Sequence, residues 1–414
     1  MHAFRNFYIK EQIYITMDRQ FKIFIINPGS TSTKLSMFIN DSEQFTTDVF
    51  HDSSELLKFP TINDQLDYRM QVIAGFLDEN GIDITDIDAI VGRGGSCRPV
   101  ESGVYGINSA MIEDTRRCVG GLYHSSMLGV RMAREMKRMV LEARGIDGVQ
   151  GVTDVEVLNR ISPSPLLLMM DPPIMDELSE LARVSGVKGI RRRAVSHALN
   201  LKATAKRHAA AMGRRYEDMN LIVCHIDGGI SVTAHEHGRM VDGNDAGGGE
   251  GPFTPTRMGS MAVTDIIDYF LTSKFSIDDG KSIPDKKYSP EETAARLRKL
   301  CSQAGGLSSH FGTSSSDQVH AMAKAGDAQA ELVWKAMVYQ VCKWIGAMAP
   351  VLKGHVDGIV LAGGLLRFDD LVGQIRERCE WIAPVYCYPG EFEQIAMAEG
   401  ALRILSGEED VRTY

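Results

Sequence analysis

The chain has 414 residues, 44% of them hydrophobic and 24% charged, which is the composition of a folded globular protein and excludes a disordered or fibrous chain. That length exceeds what one core usually supports, so two domains are expected. A formal charge of −9, with one short basic run at Arg191–Arg193, gives no electrostatic ground for binding nucleic acid.

Residues 1–16 carry Arg5, Lys10 and Glu11 and lack the apolar stretch of a signal peptide. Because Met17 directly precedes a strand pattern, they read as an extension or an alternative start with no assigned role. Phe21–Ile26 (FKIFII) is apolar and β-branched, Asn27-Pro28-Gly29 ends it, and Lys34–Ile39 resumes the pattern, which predicts a hairpin. The turn gathers Ser30, Thr31, Ser32, Thr33 and Lys34. Hydroxyls and backbone N–H groups cradle phosphate, and lysine adds a point charge. The GK[ST] ending of a Walker A loop is missing, and a plain polar hairpin would read the same way. In Val91-Gly92-Arg93-Gly94-Gly95 a planar guanidinium suits carboxylate or phosphoryl oxygens, although a solvated loop arginine would look alike.

Met175–Ser185, His197–Met212 and Gln329–Leu352 repeat apolar residues at three- and four-residue spacing and are predicted helices. Leu221–Ala234 repeats the strand, glycine turn, strand pattern across Asp227-Gly228-Gly229, where glycine lets a backbone approach a ligand closely. His235 and His237 have ligand-like spacing, but nothing clusters with them, so no metal is expected there. Glycine- and serine-rich stretches at 243–251 and 302–316 predict loops. Arg257 sits in Gly251-Pro252-Phe253-Thr254-Pro255-Thr256-Arg257, and Gly358–Ala362 is a buried strand running into Gly363-Gly364. The recurrence of one pattern about 200 residues apart, among alternating helices, predicts a duplicated α/β fold. Seven cysteines without a CxxC pair predict reduced thiols in a cytoplasmic protein, and no segment reads as a membrane span.

Taken in order, INPGSTSTKLSMF (26–38), GRGG (92–95), DPPIMDELSELARVSG (171–186), HALNLKATA (197–205), GGISVTAH (228–235), GEGPFTPTR (249–257) and the PGE segment near the C-terminus resemble the acetate and butyrate kinase family. The likeness is strongest to its butyrate kinase branch and runs from about residue 21 to 406. It implies duplicated actin-like, ribonuclease H-like domains with a nucleotide-binding cleft between them, residues 17–171 with 395–414 in one and 172–394 in the other. It further implies an ATP- and Mg²⁺-dependent phosphotransferase that converts a short-chain carboxylic acid reversibly to an acyl phosphate, in a homodimer or higher homo-oligomer.

By the same resemblance Asn27 and Glu393 position Mg²⁺, while Arg93 and Arg257 hold the acid and the transferring phosphoryl group. His197 stabilises that group and Asp171 orients the site. Asn27, Ser30, Ser32 and Lys34 belong to one phosphate turn, His225, Gly228 and Gly229 to the other, and Gly363 and Gly364 to the adenosine turn. The chemistry is consistent with this, because a carboxylic acid is already ionised at neutral pH and needs no strong base. Catalysis then rests on alignment and charge neutralisation.

Four positions depart from the family pattern. Asp227 stands where glycine is usual, Thr256 replaces a glutamate, Met258 a serine and Met127 an asparagine. A carboxylate at 227 is expected to repel polyphosphate unless it faces solvent or Mg²⁺. The stretch 134–167 is also long for the family. Alternatives to butyrate are a branched-chain acid, acetate or propionate. A nucleotide-binding paralogue without transfer activity is the rival from another class, and the retained arginines speak against it.

Overall fold

The structure is a computed structural model describing residues 19–193, 195–268 and 289–414, so the extension read at residues 1–16 lies outside it. It divides into two compact units, the first running to Met175 and resuming at Phe392, the second spanning Asp176–Glu391.

Unit 1 is built on a six-stranded sheet. Its strands are β1 (Lys22–Pro28), β2 (Ser32–Ile39), β3 (Ser42–Phe50), β4 (Ala89–Gly92), β5 (Val104–Gly106) and β6 (Leu166–Met170), in the order β3-β2-β1-β4-β6-β5. β1, β2 and β3 form an antiparallel meander, while β4 and β6 run parallel to β1. The apolar run in β1 is central, and Ile23, Phe24, Ile25 and Ile26 are fully buried, as expected of a strand covered on both faces. Helices α1 (Leu66–Glu79) and α2 (Gly129–Ala143) belong to this unit, and both α2 and the C-terminal helix Glu393–Leu405 pack on β1 and β4. The long 134–167 stretch contains the end of α2, a short helix Val155–Ile161 and a small core of Leu141, Val149 and Leu158.

Unit 2 repeats the plan with β7 (Asn220–Ile226), β8 (Ile230–Glu236), β9 (Arg239–Gly243), β10 (Gly358–Gly363) and β11 (Val385–Pro389) in the order β11-β10-β7-β8-β9. Again a three-strand meander continues into two strands parallel to its first member. Helix α3 (Ala198–Ala211) packs on β7 and β10, and α4 (Ala328–Met348) packs on β8 and on α5 (Asp369–Cys379). Trp334, Met337, Val341 and Ile345 of α4 fill the core.

Two sequence expectations are corrected. The predicted helix Met175–Ser185 shrinks to Glu180–Arg183, because the preceding residues are tied to β9. Ser179 N donates to Val241 O, and Glu177 accepts from Met240 N at 2.9 Å while pairing with Lys202 at 2.6 Å. The 302–316 stretch is not wholly loop, since it holds the end of a π-helical turn (Leu300–Ala304) and a helix Leu307–Phe311. Between them Gly306 lies so close to the Thr254 carbonyl that a side chain would collide with it.

Candidate active site

In unit 1, three neighbouring parallel strands deliver their carboxyl ends together, the usual place for ligands in sheets of this kind. Asn27 lies at the end of β1, Arg93 follows β4 and Asp171 follows β6. Arg93 is 5% exposed, and its terminal nitrogen sits 2.8 Å from Glu393 Oε1, on the first residue of the C-terminal helix. Asn27 Nδ2 donates to the other Glu393 oxygen at 3.0 Å. The glycines around Arg93 are needed for contact, since a Cβ on Gly92 would strike the Gly129 backbone and one on Gly95 the Met127 backbone. Met127, the first departure from the family pattern, is therefore a fully buried packing residue.

Asp171 adopts a left-handed backbone, φ 36°, a conformation aspartate tolerates better than most residues. Its Oδ1 accepts from Ser102 Oγ at 2.8 Å and Gly103 N at 3.0 Å, and its carbonyl lies 3.4 Å from Arg93 Nη1. The carboxylate thus organises a neighbouring loop, and the backbone meets the arginine. Lys34 stands opposite Asn27 in the β1/β2 ladder. Ser30 is exposed, and Ser32 Oγ lies 3.4 Å from Asp48 Oδ1.

In unit 2 the ends of β7 and β10 carry Asp227 and Gly364. His225 is buried, its Nδ1 2.7 Å from the Asn200 side-chain amide, and its ring stacks on His197 at 4.1 Å. His197 precedes α3 and places Nδ1 2.8 Å from Ser231 Oγ. Asp227 is not directed freely into solvent. Its two oxygens accept from Gly228 N and Gly364 N, each at 2.8 Å, so the unexpected carboxylate joins the turn after β7 to the glycine turn after β10. Gly363, at φ 106°, could not carry a side chain without striking the Ile226 backbone.

Arg257 lies over Gly229, where a Cβ would come within 2.5 Å of its guanidinium. Its Nη1 donates to Ala246 O at 2.9 Å. Thr254 and Thr256 pin this loop by donating their hydroxyls to Gly228 O at 2.7 and 2.9 Å. Thr256, in the place of a family glutamate, therefore anchors the loop without adding negative charge. Burial lowers the pKa of Arg257, opposed by Asp245. Among the described residues Arg257 makes no ion pair.

Two groups of side chains could take a cation. Asn27 and Glu393 offer hard oxygen donors, which suit a Mg²⁺ that retains several waters. His225, Asp227 and Glu391 bring one potential ligand atom each within 4.8 Å of one another. The histidines with ligand-like spacing are otherwise engaged, His235 with Tyr216 and Thr233 and His237 with the Glu217 carbonyl. The three arginines 191–193 form ion pairs with Glu180, Asp242, Glu250 and Asp245.

Sequence reasoning missed Asn200, Ser231 and Thr254, which hold predicted site residues. Thr254 lies within a segment already singled out, so its hydroxyl was a signal. Ser102 and Arg69 carry no local pattern and are visible only in three dimensions.

Two sheets of matching order, each with a glycine hairpin at the carboxyl end of its first strand, define the duplicated actin-like ATPase fold. Acetate kinase from Porphyromonas gingivalis superposes with a TM-score of 0.64 at 15% identity, covering 93% of this chain and all of that one. A propionate kinase from Francisella tularensis gives 0.63 at 15% identity, covering 92% and 98%. The acetokinase family profile matches residues 182–374, and a probable butyrate kinase from Clostridium botulinum is 40% identical over 394 residues, 95% of this chain and 99% of the relative. The chain belongs to the acetokinase family.

Proposed function

We propose that the protein transfers the terminal phosphoryl group of ATP to a short-chain carboxylic acid, butyrate or a close analogue, forming an acyl phosphate and ADP reversibly. The observation that carries this reading is Arg257, a charged guanidinium without an ion pair among the described residues, laid on the glycine of a phosphate-type turn. The 40% identical butyrate kinase relative supports the choice of acid.

The acid arrives as its carboxylate and is itself the nucleophile, so no residue need remove a proton. Arg93 orients it and lowers the repulsion between two anions. Arg257 and His197 stabilise the charge spread over the phosphoryl oxygens in transfer. Asp171 holds the Ser102–Gly103 loop, and its carbonyl faces Arg93. Asn27 and Glu393 would hold Mg²⁺, which when bound supplies charge neutralisation on the phosphate oxygens. Ser30, Ser32, Lys34, His225, Gly228 and Gly229 would hold phosphates, and Gly363 and Gly364 the adenosine.

No described helix is long and apolar enough to cross a membrane, and all seven cysteines are free; these support a cytoplasmic setting. A homo-oligomeric state is proposed from the family alone. The test is a hydroxamate-trap assay with ATP, Mg²⁺ and straight and branched acids from two to six carbons, expected to give most product with butyrate or a branched analogue. A second reading, a nucleotide binder without transfer activity, is motivated by Asp227, whose carboxylate takes the Gly228 and Gly364 amides and so withholds them from a phosphoryl group in transfer. ADP binding with no hydroxamate from any acid would select it.

A further inference from the structure

Every carbonyl in the turn between β1 and β2 is engaged within unit 1. Gly29 O and Ser30 O each accept from Arg69, from Nη1 and Nη2, at 2.9 Å. Thr31 O accepts from His51 N at 2.9 Å, and Ser32 O from Gly29 N at 2.8 Å with Arg69 Nη1 3.4 Å away. Arg69 lies on α1 and is fully buried. Gln65, one turn earlier, steadies it by accepting from Nε and Nη2 at 3.2 and 3.1 Å. The guanidinium makes no ion pair among the described residues. Burial lowers its pKa to about 10, which leaves it charged at neutral pH.

A trans peptide group is planar, with its C=O and N–H pointing in opposite directions. Carbonyls of Gly29 and Ser30 turned onto a buried guanidinium therefore aim the N–H groups of Ser30 and Thr31 the other way. Neither amide donates to a described residue, and both residues are exposed. Successive outward amides on a turn make an anion-binding concavity, and a fixed positive charge behind them strengthens the field in front. Two carbonyls a residue apart require the rigid fork of an arginine, because a lysine ammonium is a single point charge.

We propose that Arg69 is the positioning residue for the donor phosphates: it holds the 29–32 turn so that the Ser30 and Thr31 amides face the phosphoryl oxygens of the nucleotide, without touching them itself. The proposal rests on the ATP-using reading above.

Calorimetric ADP binding and steady-state kinetics on the full chain test it. Wild-type ADP binding and hydroxamate formation examine the kinase reading alone. Arg69→Gln is expected to raise the ADP Kd and the ATP KM about tenfold, the loss of one charge-assisted hydrogen bond or more, and to change the KM for the acid less than about twofold. Arg69→Lys should recover part of that affinity. Gln65→Ala, which loosens the guanidinium without removing it, should shift ATP KM in the same direction by a smaller factor and serves if Arg69→Gln does not fold. A structural role alone would lower Tm and the active fraction but leave the KM of the folded enzyme unchanged. Binding and ATP KM within about twofold of wild type in folded Arg69→Gln, or in both Arg69→Lys and Gln65→Ala, overturns the proposal. A wild-type chain that binds no ADP overturns the kinase reading and this proposal together.

Discussion

The turns Gly29–Thr31 and Asp227–Gly229 occupy matching places in two sheets that share the order of five strands, unit 1 adding β5 at one edge, and they are held in opposite electrical senses. In unit 1 a buried guanidinium takes the carbonyls and leaves amides outward. In unit 2 a carboxylate takes the amides of Gly228 and Gly364, and two threonine hydroxyls take the Gly228 carbonyl. Strand order thus places a turn at the carboxyl edge of each sheet but does not decide which of its backbone groups face outward. That is decided by side chains from elsewhere, such as Arg69, 40 residues beyond Gly29. Unit 2 seats the Arg257 guanidinium on Gly229, whereas unit 1 turns the Ser30 and Thr31 amides outward.

The largest expected effect removes the two arginine charges proposed to act on the acid and the transferring phosphoryl group. Arg257→Ala or Arg93→Ala should lower turnover by about 10³-fold or more with the fold retained. Near-wild-type hydroxamate formation in both, with unchanged circular dichroism, would reject their roles.

Next in size is the seating of the arginine. Gly229→Ala puts a methyl group 2.5 Å from the Arg257 guanidinium, and a displacement near 1 Å at a reacting centre costs about a hundredfold in rate. The effect should vanish when Arg257 is already alanine, because the two changes remove the same contact. Additive losses in the double variant would show that Gly229 serves another purpose.

A smaller effect concerns the anion that unit 2 carries in its own turn. Asp227→Asn keeps an acceptor for one amide and removes the charge. A charge pair at 4 Å and an effective dielectric near 20 is worth about 4 kcal/mol before solvent relief, and a third of that is about tenfold in affinity. ADP measured without Mg²⁺ should therefore bind about tenfold tighter. Equal or weaker binding would leave Asp227 as a structural link between two turns.

The smallest effect is on stability behind the unit 1 turn. His51 is 4% exposed, its Nε2 lies 2.8 Å from Thr33 Oγ1, and burial, with Arg69 adding to it, lowers its pKa to about 4. The fold favours neutral imidazole. This contribution is complete above pH 6.5, the unfolded value, and is lost as pH falls toward the folded one. Between pH 6.5 and 5.5 the loss approaches about 1 kcal/mol, or roughly 2–4 °C in Tm. His51→Gln should flatten that acid limb, and an unaltered slope in a Tm series against pH would assign it to other groups.

The sequence by itself determined both hairpins, β10, α3 and α4, because alternation, glycine turns and helical spacing are local patterns that survive in isolation. Arg93 and Arg257 stood out locally as guanidiniums among glycines and prolines, whereas Asn27, Asp171 and His225 received site roles only through the resemblance to the family. Tertiary structure alone decided that Asn27 and Arg93 both bond to Glu393 and that the Asp171 carbonyl lies beside Arg93, because adjacent parallel strands bring distant carboxyl ends together. It overrode the helical pattern of 175–185, where bonds to β9 outweighed local propensity. It also set the direction of the Asp227 carboxylate, since the Gly364 amide that takes it lies 137 residues away. No local pattern carries information about a partner at that distance.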